Sequence, residues 1–331
     1  MKQNNEKAMH IVFITDDNYV KPTLVAVTSL LKNSNVNKEY IIHLICKNIS
    51  QENEERFIKC QLNNVKIDII RVNPNDNESL KQSHNPVSLA ALLKFDIATI
   101  LKNVDKVLYL DGDTIIRDDL TKLYDIDITE YYCAAVPDGP RQKVIGGGKK
   151  HSFSIATTYF NSGVMLLNLK ELRKNDIPRK LLDYRLNGYN YFMDQDAFNQ
   201  VFKGHVKLLP YNFNTMLHII MPTWKMNSTK IISKYYNMPQ YNSYEQYINN
   251  SSILHYTFSK PWKYYDIPMA DIWSYYYYLS PLKDKLLERD SFYNKLYGSM
   301  SYRLGYILTR PPLALYNVCK RFKEKLVKLR T

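Results

Sequence analysis

The sequence predicts an α/β fold in which a mostly parallel sheet carries helices on both faces. In the first half of the chain, short apolar runs alternate with stretches of helical spacing, which is the order of successive strand–helix units. The chain has 331 residues, 45% of them hydrophobic, which suffices for one large domain with a buried core. Acidic and amide side chains directly follow two of the apolar runs, where such sheets bind ligands.

Four apolar runs predict the first strands of the sheet. Each is rich in Ile, Val, Leu or Tyr and is bounded by polar residues, as expected for strands that are buried on both faces. They cover residues 10–15 (HIVFIT), 40–46 (YIIHLIC), 65–72 (VKIDIIRV) and 106–110 (KVLYL), and residues 160–169 resume the pattern later.

Apolar residues at helical spacing predict helices between these strands. The helices are expected over residues 22–31, 51–62, 88–101 and 194–202. Residues 137–154 are rich in Gly, Lys and Ser and predict a flexible loop, a candidate lid. Beyond Trp262 the chain becomes Tyr-rich, helical and basic, so we expect a catalytic domain over 1–265 and a C-terminal extension over 266–331.

The composition of the chain limits the cellular compartments and the classes of partner that can be expected for this protein. The cysteines (Cys46, Cys60, Cys133 and Cys319) show no metal-ligand spacing and predict buried, reduced thiols. The polar N-terminus predicts no signal peptide, and no apolar run reaches the roughly 18 residues that a spanning helix needs. The net charge is +13, yet no zinc finger or RNA-binding motif appears, so we expect a cytoplasmic protein without a nucleic-acid partner.

The most informative motif is Asp111-Gly112-Asp113, at the end of the fourth predicted strand. Because side chains alternate along a strand, carboxylates two residues apart can point the same way, and the glycine lets a ligand approach the backbone. Such a pair suits Mg²⁺ or Mn²⁺, which can also grip a diphosphate. A plain Asp-Gly turn is the alternative, but the apolar residues on both sides weaken it.

Other polar segments are ambiguous when each is taken by itself. Residues 16–19 (DDNY) fit either a uridine site or the cap of a helix. Residues 161–163 (NSG) fit a turn or a sugar contact, and residues 193–196 (MDQD) fit a helix N-terminus or a site. A lone histidine such as His255 is usually a core residue, and Lys260 suits a surface turn.

Six of these segments become specific when they are taken together. They are FITDDNY (13–19), DKVLYLDGDTII (105–116), YFNSGVMLLNL (159–169), MDQDAFN (193–199), LPYNFN (209–214) and HYTFSKPW (255–262). In this order and at these spacings, they resemble glycosyltransferase family 8, whose members include bacterial lipopolysaccharide galactosyl- and glucosyltransferases. The resemblance spans residues 10–265.

The resemblance implies a GT-A fold and a metal-dependent, retaining enzyme that uses a UDP-sugar. Mn²⁺, or Mg²⁺, would be held by Asp111, Asp113 and His255. The product would be an α-linked hexose, glucose or galactose, on a cell-surface glycan such as the lipopolysaccharide core. The expected partners are therefore a UDP-hexose and a saccharide or glycolipid acceptor.

The resemblance also implies catalytic and donor-binding residues. Asp138, Asp194 and Gln195 form the expected catalytic group, with Gln195 under the anomeric carbon. Because its amide is neutral, Gln195 is a poor nucleophile, which favours same-face attack by the acceptor over two inversions. The donor contacts are expected from Thr15, Asp16, Asp17, Asn18, Tyr19, Lys94, Asp111, Gly112, Asn161, Ser162 and Lys260.

Two residues depart from the family pattern. Lys94 stands where family members usually carry Arg, so the charge remains without the bidentate fork. Phe258 stands three residues after the metal histidine, where family members usually carry Gly. These changes motivate an alternative hypothesis, a catalytically weak module that binds sugar nucleotides.

The C-terminal residues predict attachment to a membrane. Residues 301–331 carry eight Lys and Arg against one acid, among large apolar and aromatic side chains. Such a mixture can insert shallowly while its charges meet anionic headgroups. We expect a peripheral protein on the inner face of the cytoplasmic membrane; a helix packed on the catalytic domain is the alternative.

Overall fold

The computed structural model describes most of the chain between residues 8 and 282. The described residues are 8–73, 89–138, 145–146, 149–150, 159–187, 194–217, 233, 239–241, 244–257, 259–264 and 267–282. Most of the loop predicted over 137–154 lies outside them, as do Met193, Phe258 and the basic tail.

The strands lie where the apolar runs predict them, and shorter strands accompany them. The ends of the five predicted strands differ from the observed ends by at most one residue. The described strands are β1 (Met9–Thr15), β2 (Tyr40–Cys46), β3 (Val65–Arg71), β4 (Lys106–Leu110), β5 (Thr114–Ile116), β6 (Cys133–Pro137), β7 (Ile145–Gly146), β8 (Lys149–Lys150), β9 (Phe160–Asn168), β10 (Val206–Leu208), β11 (Thr215–Met216) and β12 (Ile253–His255).

The predicted helices are present with shifted ends. The second ends at Ile58, and Leu62, predicted to be its last residue, instead pairs with Val65 in a tight turn. The helix predicted over 88–101 divides into two at Asp96. The described helices are α1 (Val20–Lys32), α2 (Gln51–Ile58), α3 (Leu89–Phe95), α4 (Ile97–Ile100), α5 (Thr121–Tyr124), α6 (Leu169–Lys174), α7 (Ile177–Asn187), α8 (Asp194–Val201), α9 (Tyr244–Asn249) and α10 (Ala270–Leu279), with a 3₁₀ turn at Tyr211–Phe213.

Seven strands form the central sheet, in the order β10-β6-β9-β4-β1-β2-β3. Its strand pairs are parallel except those of β9, which runs antiparallel to both β4 and β6. Alternate residues of β1 enter different core clusters: Ile11 and Phe13 belong to one, Val12 and Ile14 to the other. Both faces of the sheet are therefore buried, and the predicted α/β class is confirmed.

A second, three-stranded sheet has the order β11-β12-β5. β5 begins directly after Asp113, and β12 ends at His255. These two strands are antiparallel, with His255 opposite Thr114, while β11 runs parallel to β12 with Met216 opposite His255. Because this small sheet joins segments that are far apart in sequence, it decides which polar residues meet at the end of β4.

Helix α10 packs into the same core as the central sheet. Trp273 and Tyr277 are buried in the cluster that contains Phe13, and Asn33 Nδ2 donates to the Tyr276 hydroxyl at 2.9 Å. The domain boundary after residue 265 stays a prediction. None of the described helices is both long and apolar enough to cross a bilayer.

Three cysteines lie in the core. Cys46, Cys60 and Cys133 are buried and free. Burial raises the pKa of Cys46 to about 11 and that of Cys60 to about 12, so both thiols stay protonated at neutral pH. They behave as small apolar side chains, as the sequence predicts.

Candidate active site

Two carboxylates and one imidazole meet at the carboxyl end of β4. Asp111 and Asp113 follow this strand, and His255 ends β12. His255 Nε2 lies 3.7 Å from Asp111 Oδ2 and 3.3 Å from Asp113 Oδ1, and one ligand atom from each of the three residues lies within 4.8 Å of the others. This donor set fits a divalent cation such as Mn²⁺. The structure thus brings the three predicted metal ligands together.

The backbone around this cluster leaves room only for glycine at position 163. The Asp111 N–H donates to the Gly163 carbonyl at 2.7 Å, and the Tyr256 N–H donates to the Asp113 carbonyl at 3.0 Å. A β-carbon added at Gly163 would lie 2.2 Å from His255 Cε1 and 2.6 Å from Asp111 Oδ2. β9 therefore borders the candidate metal site directly.

Lys94 joins the metal cluster to Asp194. Its Nζ lies 3.0 Å from Asp111 Oδ1 and 2.8 Å from Asp194 Oδ2. The Tyr109 hydroxyl donates to the same Asp111 oxygen at 2.6 Å, which leaves Asp111 Oδ2 on the His255 side. Burial alone would lower the pKa of Lys94, but Asp111 and Asp194 raise it overall, so the ammonium stays charged.

Lys260 places a second ammonium group at the cluster. Its Nζ contacts Asp113 Oδ2 and donates to the Tyr256 carbonyl at 2.6 Å. Burial by itself raises the pKa of the Asp113 carboxyl, but Lys260, and then His255, lower it below its ordinary value. Asp113 is therefore ionised at neutral pH, as a metal ligand must be.

Gln195 is held on both sides of its amide. Its Nε2 donates to Asp138 Oδ2 at 2.5 Å, and its Oε1 accepts from Asn161 Nδ2 at 3.0 Å and from the Ser162 N–H at 3.2 Å. These two donors use both acceptor lone pairs of Oε1. Asp194 is fixed beside it, because the Ser162 hydroxyl donates to Asp194 Oδ2 at 3.0 Å.

Tyr19, predicted on the uridine side, lies next to the metal cluster. A β-carbon at Gly112 would lie 3.2 Å from two Tyr19 ring atoms, and the ring meets Trp262 edge-to-face at a centroid distance of 5.8 Å. Burial, with Asp113 and Asp111 nearby, raises the pKa of Tyr19, so its hydroxyl stays neutral. The loop after β1 therefore reaches the carboxyl end of β4.

The other residues of this loop differ in what they contact. Asp16 Oδ1 accepts the Tyr19 N–H at 2.9 Å and so shapes the loop. Asp17 Oδ1 accepts three hydrogen bonds from the N-terminal turn of α2 and its cap, which ties the two loops together. Thr15 is buried at the end of β1, and Asn18 is exposed.

Two polar residues of the site have no role assigned by the sequence. Tyr109 lies two residues before Asp111 on β4, so both side chains share one side of the strand, and this spacing is a usable signal. Asn214 belongs to the segment LPYNFN, but its contacts appear only in the structure. Its Nδ2 donates to Asn161 Oδ1 at 2.9 Å, and its Oδ1 lies 3.0 Å from His255 Nδ1.

Known proteins resemble this chain over most of its length. The family model described as Glycosyl transferase family 8 matches residues 10–266. A lipopolysaccharide 1,2-glucosyltransferase of Escherichia coli is 28% identical over 86% of this chain and 82% of its own. General stress protein A of Bacillus subtilis is 28% identical over 78% of this chain and 88% of its own. A relative from Haemophilus influenzae is 30% identical, and the alignment covers 63% of its length.

Solved structures share the fold. The galactosyltransferase LgtC, in complex with donor and acceptor sugar analogs, has a TM-score of 0.62 at 25% identity, covering 85% of this chain and 98% of that one. The bifunctional glycosyltransferase WbbM shares the fold with a TM-score of 0.70 at 20% identity, and the match covers 83% of this chain but 50% of WbbM. The fold and the site define a glycosyltransferase of the GT-A class. The chain belongs to glycosyl transferase family 8.

Proposed function

We propose that this protein is a metal-dependent, retaining hexosyltransferase. It moves glucose or galactose from a UDP-hexose to a saccharide or glycolipid acceptor, such as the lipopolysaccharide core, and forms an α-linkage. The names of two similar proteins, a lipopolysaccharide 1,2-glucosyltransferase and the galactosyltransferase LgtC, support a hexose as the transferred group.

The observation that carries the proposal is the meeting of Asp111, Asp113 and His255 between two lysines. Lys94 pairs with Asp111 on one side, and Lys260 contacts Asp113 on the other. Positive groups placed in this way favour a negatively charged diphosphate, and they favour its departure even more because charge grows on the leaving oxygen. A divalent cation, when bound, supplies Lewis-acid stabilisation of that charge.

Lys260 is suited to the leaving group. Its Nζ now contacts Asp113 and the Tyr256 carbonyl, both of which are acceptors. A phosphate oxygen is a further acceptor that the same ammonium can reach by rotating its flexible stem. We expect Lys260 to donate to a phosphate oxygen, while Asn161 and Asp194 contact hydroxyl groups of the donor sugar.

The hydrogen bonds around Gln195 favour same-face attack over a covalent intermediate. Gln195 itself is a neutral amide, and Asp194 Oδ2 is engaged by both Lys94 and Ser162. A carboxylate in such contacts is a weakened nucleophile. The acceptor hydroxyl then attacks the anomeric carbon on the face that UDP leaves, and its proton passes to the departing phosphate oxygen.

The decisive experiment incubates the protein with Mn²⁺ and a panel of UDP-sugars and detects released UDP. We expect release from UDP-glucose or UDP-galactose, loss in EDTA and recovery on adding Mn²⁺. Asp113→Asn should abolish both turnover and Mn²⁺ binding. Asp127→Asn is the matched control, because Asp127 is exposed and its carboxylate accepts from the N–H and the hydroxyl of Thr129 rather than from a residue of the site. Full activity of Asp113→Asn, or full activity in excess EDTA, would overturn the metal assignment.

The donor and the stereochemistry have separate tests. Calorimetry should show Mn²⁺-dependent binding of UDP that is tighter than that of GDP or CDP. The anomeric coupling constant of the product, measured by NMR, should correspond to an α-linkage. Tighter binding of GDP or CDP contradicts the donor, and a β-linked product contradicts retention.

A further inference from the structure

A chain of buried hydrogen bonds runs from the predicted catalytic group to the candidate metal ligand His255. It passes from Asp138 through Gln195, Asn161 and Asn214 to His255, with successive distances of 2.5, 3.0, 2.9 and 3.0 Å. All five side chains are buried, and Asn214 is 0% exposed. Each of the three side-chain amides in the middle of this hydrogen-bond chain contacts a partner on both sides, so none can rotate by half a turn without losing hydrogen bonds.

The direction of these bonds is fixed by backbone groups that can only donate. The Ser162 N–H points to Gln195 Oε1 at 3.2 Å, and the Gly163 N–H points to Asn161 Oδ1 at 3.0 Å. Asn161 therefore presents its Nδ2 to Gln195, and its Oδ1 accepts from Asn214 Nδ2. The oxygen of Asn214 is consequently the atom that remains for its other contact.

We propose that Asn214 is a positioning residue that fixes the tautomer of His255. Since Asn214 Oδ1 only accepts, His255 Nδ1, 3.0 Å away, carries a proton, and Nε2 is the ring nitrogen whose lone pair is available to a cation. Nε2 is the atom that faces Asp111 Oδ2 and Asp113 Oδ1, at 3.7 and 3.3 Å. The opposite tautomer would set the Nδ1 lone pair against Asn214 Oδ1 in a buried place, which is costly.

Asn214 also links metal binding to the donor-sugar side of the site. One side chain holds both His255 Nδ1 and Asn161 Oδ1, and Asn161 in turn holds Gln195. The fold fixes its position, because the Asn214 N–H donates to the Tyr211 carbonyl at 3.0 Å and β11 begins at the next residue. The inference rests on the proposed metal-dependent function and adds to it how the imidazole is prepared for the cation.

The tautomer is measured in the metal-free, full-length protein. Long-range ¹H–¹⁵N NMR spectra show which ring nitrogen of each histidine carries the proton, and His255→Asn identifies the signals of His255. We expect the proton on Nδ1. A ring whose Nδ1 carries no proton would overturn the inference; a second proton on Nε2, which faces two carboxylates while the cation is absent, would not. Wild-type protein that binds no Mn²⁺ would overturn the proposed function instead, because the tautomer is tested without the metal.

Substitutions of Asn214 separate positioning from simple stability. Asn214→Leu removes the acceptor, so we expect Mn²⁺ affinity, measured by EPR of the free ion, to fall roughly 10- to 100-fold. Asn214→Asp still accepts from His255 Nδ1 but sets a second acceptor against Asn161 Oδ1. It should keep Mn²⁺ affinity near the wild-type value while UDP-hexose turnover falls.

Asn168→Leu is the matched control. Asn168 bonds to the Glu171 N–H and to the Ile128 carbonyl at 3.1 Å each, at the far end of β9 from Gly163. It should lower thermal stability without changing Mn²⁺ affinity. Wild-type Mn²⁺ affinity in Asn214→Leu, or equal losses in Asn214→Leu and Asn214→Asp, would overturn the inference. If Asn214→Leu does not fold, the tautomer and Asn214→Asp decide the question.

Discussion

A single methyl group at position 163 would occupy the space in which His255 and Asp111 approach each other. Contacts of 2.2 and 2.6 Å to a β-carbon are too short to persist, so the neighbouring side chains must move. Gly163 lies on β9, and β4 and β6 pair with this strand on either side, so the backbone cannot yield easily. Gly163→Ala should therefore weaken Mn²⁺ binding at least about tenfold, since ligand distances tolerate only about 0.2 Å.

Gly204→Ala is the control for that change. Gly204 has a φ of 85°, so a β-carbon strains the backbone, but nothing lies within 4 Å of it. We expect a loss of stability of about 1 kcal/mol and unchanged Mn²⁺ binding. Mn²⁺ titrations followed by EPR compare the two variants. Equal Mn²⁺ affinity in Gly163→Ala and wild type would contradict the placement of β9 against the metal site.

We expect activity to require the positive charge of Lys94 but not the exact shape of its side chain. Its ammonium group lies between Asp111 and Asp194, and it is 9% exposed. Removing one partner from a buried ion pair typically costs about 3–5 kcal/mol, because the remaining charges are left without compensation. Lys94→Met should lower kcat/KM at least about 100-fold, or roughly 2.7 kcal/mol. Lys94→Arg keeps the charge and should retain most of the activity.

Lys106→Met is the matched control for Lys94→Met. Lys106 also lies 4.9 Å from a tyrosine ring, that of Tyr124, but at the opposite end of β4 from Asp111. Its loss should leave kcat/KM close to wild type. Steady-state kinetics with a UDP-hexose decides between the outcomes. If Lys94→Arg were as inactive as Lys94→Met, the contribution of Lys94 would be geometric rather than electrostatic.

The site is predictable from sequence only where its chemistry is local. The spacing of Asp111 and Asp113 after an apolar strand predicts a cation site without any further information. The local sequence around His255 does not predict that it belongs to the site, because the pairing of β12 with β5, two strands far apart in sequence, leaves no local pattern. The role of Asn214 cannot be predicted from its local sequence, since it depends on contacts with Asn161 of β9 and His255 of β12.

Outside the active site, three neighbouring strands contribute a chain of hydrogen-bonded side chains, the histidine relay, which consists of His10, His43 and Asp68. His10 Nδ1 lies 2.9 Å from His43 Nε2, and His43 Nδ1 lies 2.9 Å from Asp68 Oδ2. These residues belong to β1, β2 and β3, and His43 is opposite Asp68 in the parallel ladder. With the His43 proton on Nδ1, Nε2 accepts from His10, and the relay is satisfied while both rings are neutral.

The histidine relay should make the free energy of unfolding depend on pH. Burial lowers the pKa of His43, against the opposing effect of Asp68 and with His10 and Lys66 adding to the shift. Just below pH 6.5, the ordinary pKa of about 6.5 lets His43 of the unfolded chain bind a proton, while His43 of the native state stays neutral. The His43 contribution is therefore complete above about pH 6.5 and is lost as pH falls below it, by up to about 1.4 kcal/mol per pH unit.

Urea denaturation at several pH values between 5.5 and 7.5 tests this expectation. His43→Gln cannot gain a proton, so its free energy of unfolding should fall less than that of wild type as pH decreases. His205→Gln removes an exposed histidine beside Tyr132 and controls for the loss of an imidazole in general. Parallel pH profiles for wild type and His43→Gln would show that the relay does not contribute.

The strands of the central sheet are the elements that sequence predicts best. Strands buried on both faces are continuous apolar runs, and this signal is local. The antiparallel direction of β9 cannot be predicted from its local sequence, because an apolar strand has the same pattern whether its neighbours are parallel or antiparallel. β5, β11 and β12 have two or three residues each, too few for periodicity, yet they place His255 beside Asp113.

The boundary between catalytic domain and extension is not visible in the packing of α10. Trp273 of this helix is fully buried, and its ring lies 5.7 Å from that of Trp262, which in turn touches Tyr19. The first part of the predicted extension therefore supports the wall of the candidate nucleotide site. The predicted membrane role rests on residues further along the chain, where the bases are concentrated.

We propose that residues 301–331 hold the protein on the inner face of the cytoplasmic membrane. Eight Lys and Arg against one acid favour an anionic surface, and each base near such a surface contributes about 1 kcal/mol. The full-length protein should sediment with anionic vesicles at low salt and leave them as salt screens the charges. It should not bind neutral vesicles to the same extent.

Truncation after Ser299 should abolish vesicle binding while UDP binding is kept, because every candidate site residue lies at or before Lys260. A second variant, with Lys320, Arg321, Lys323 and Lys325 replaced by Gln, retains the apolar groups and removes part of the charge. If charge provides the attraction, this variant should bind vesicles more weakly and with a smaller salt dependence. Full-length protein that ignores anionic vesicles at low salt would refute the membrane role and leave the alternative, in which the tail packs on the catalytic domain.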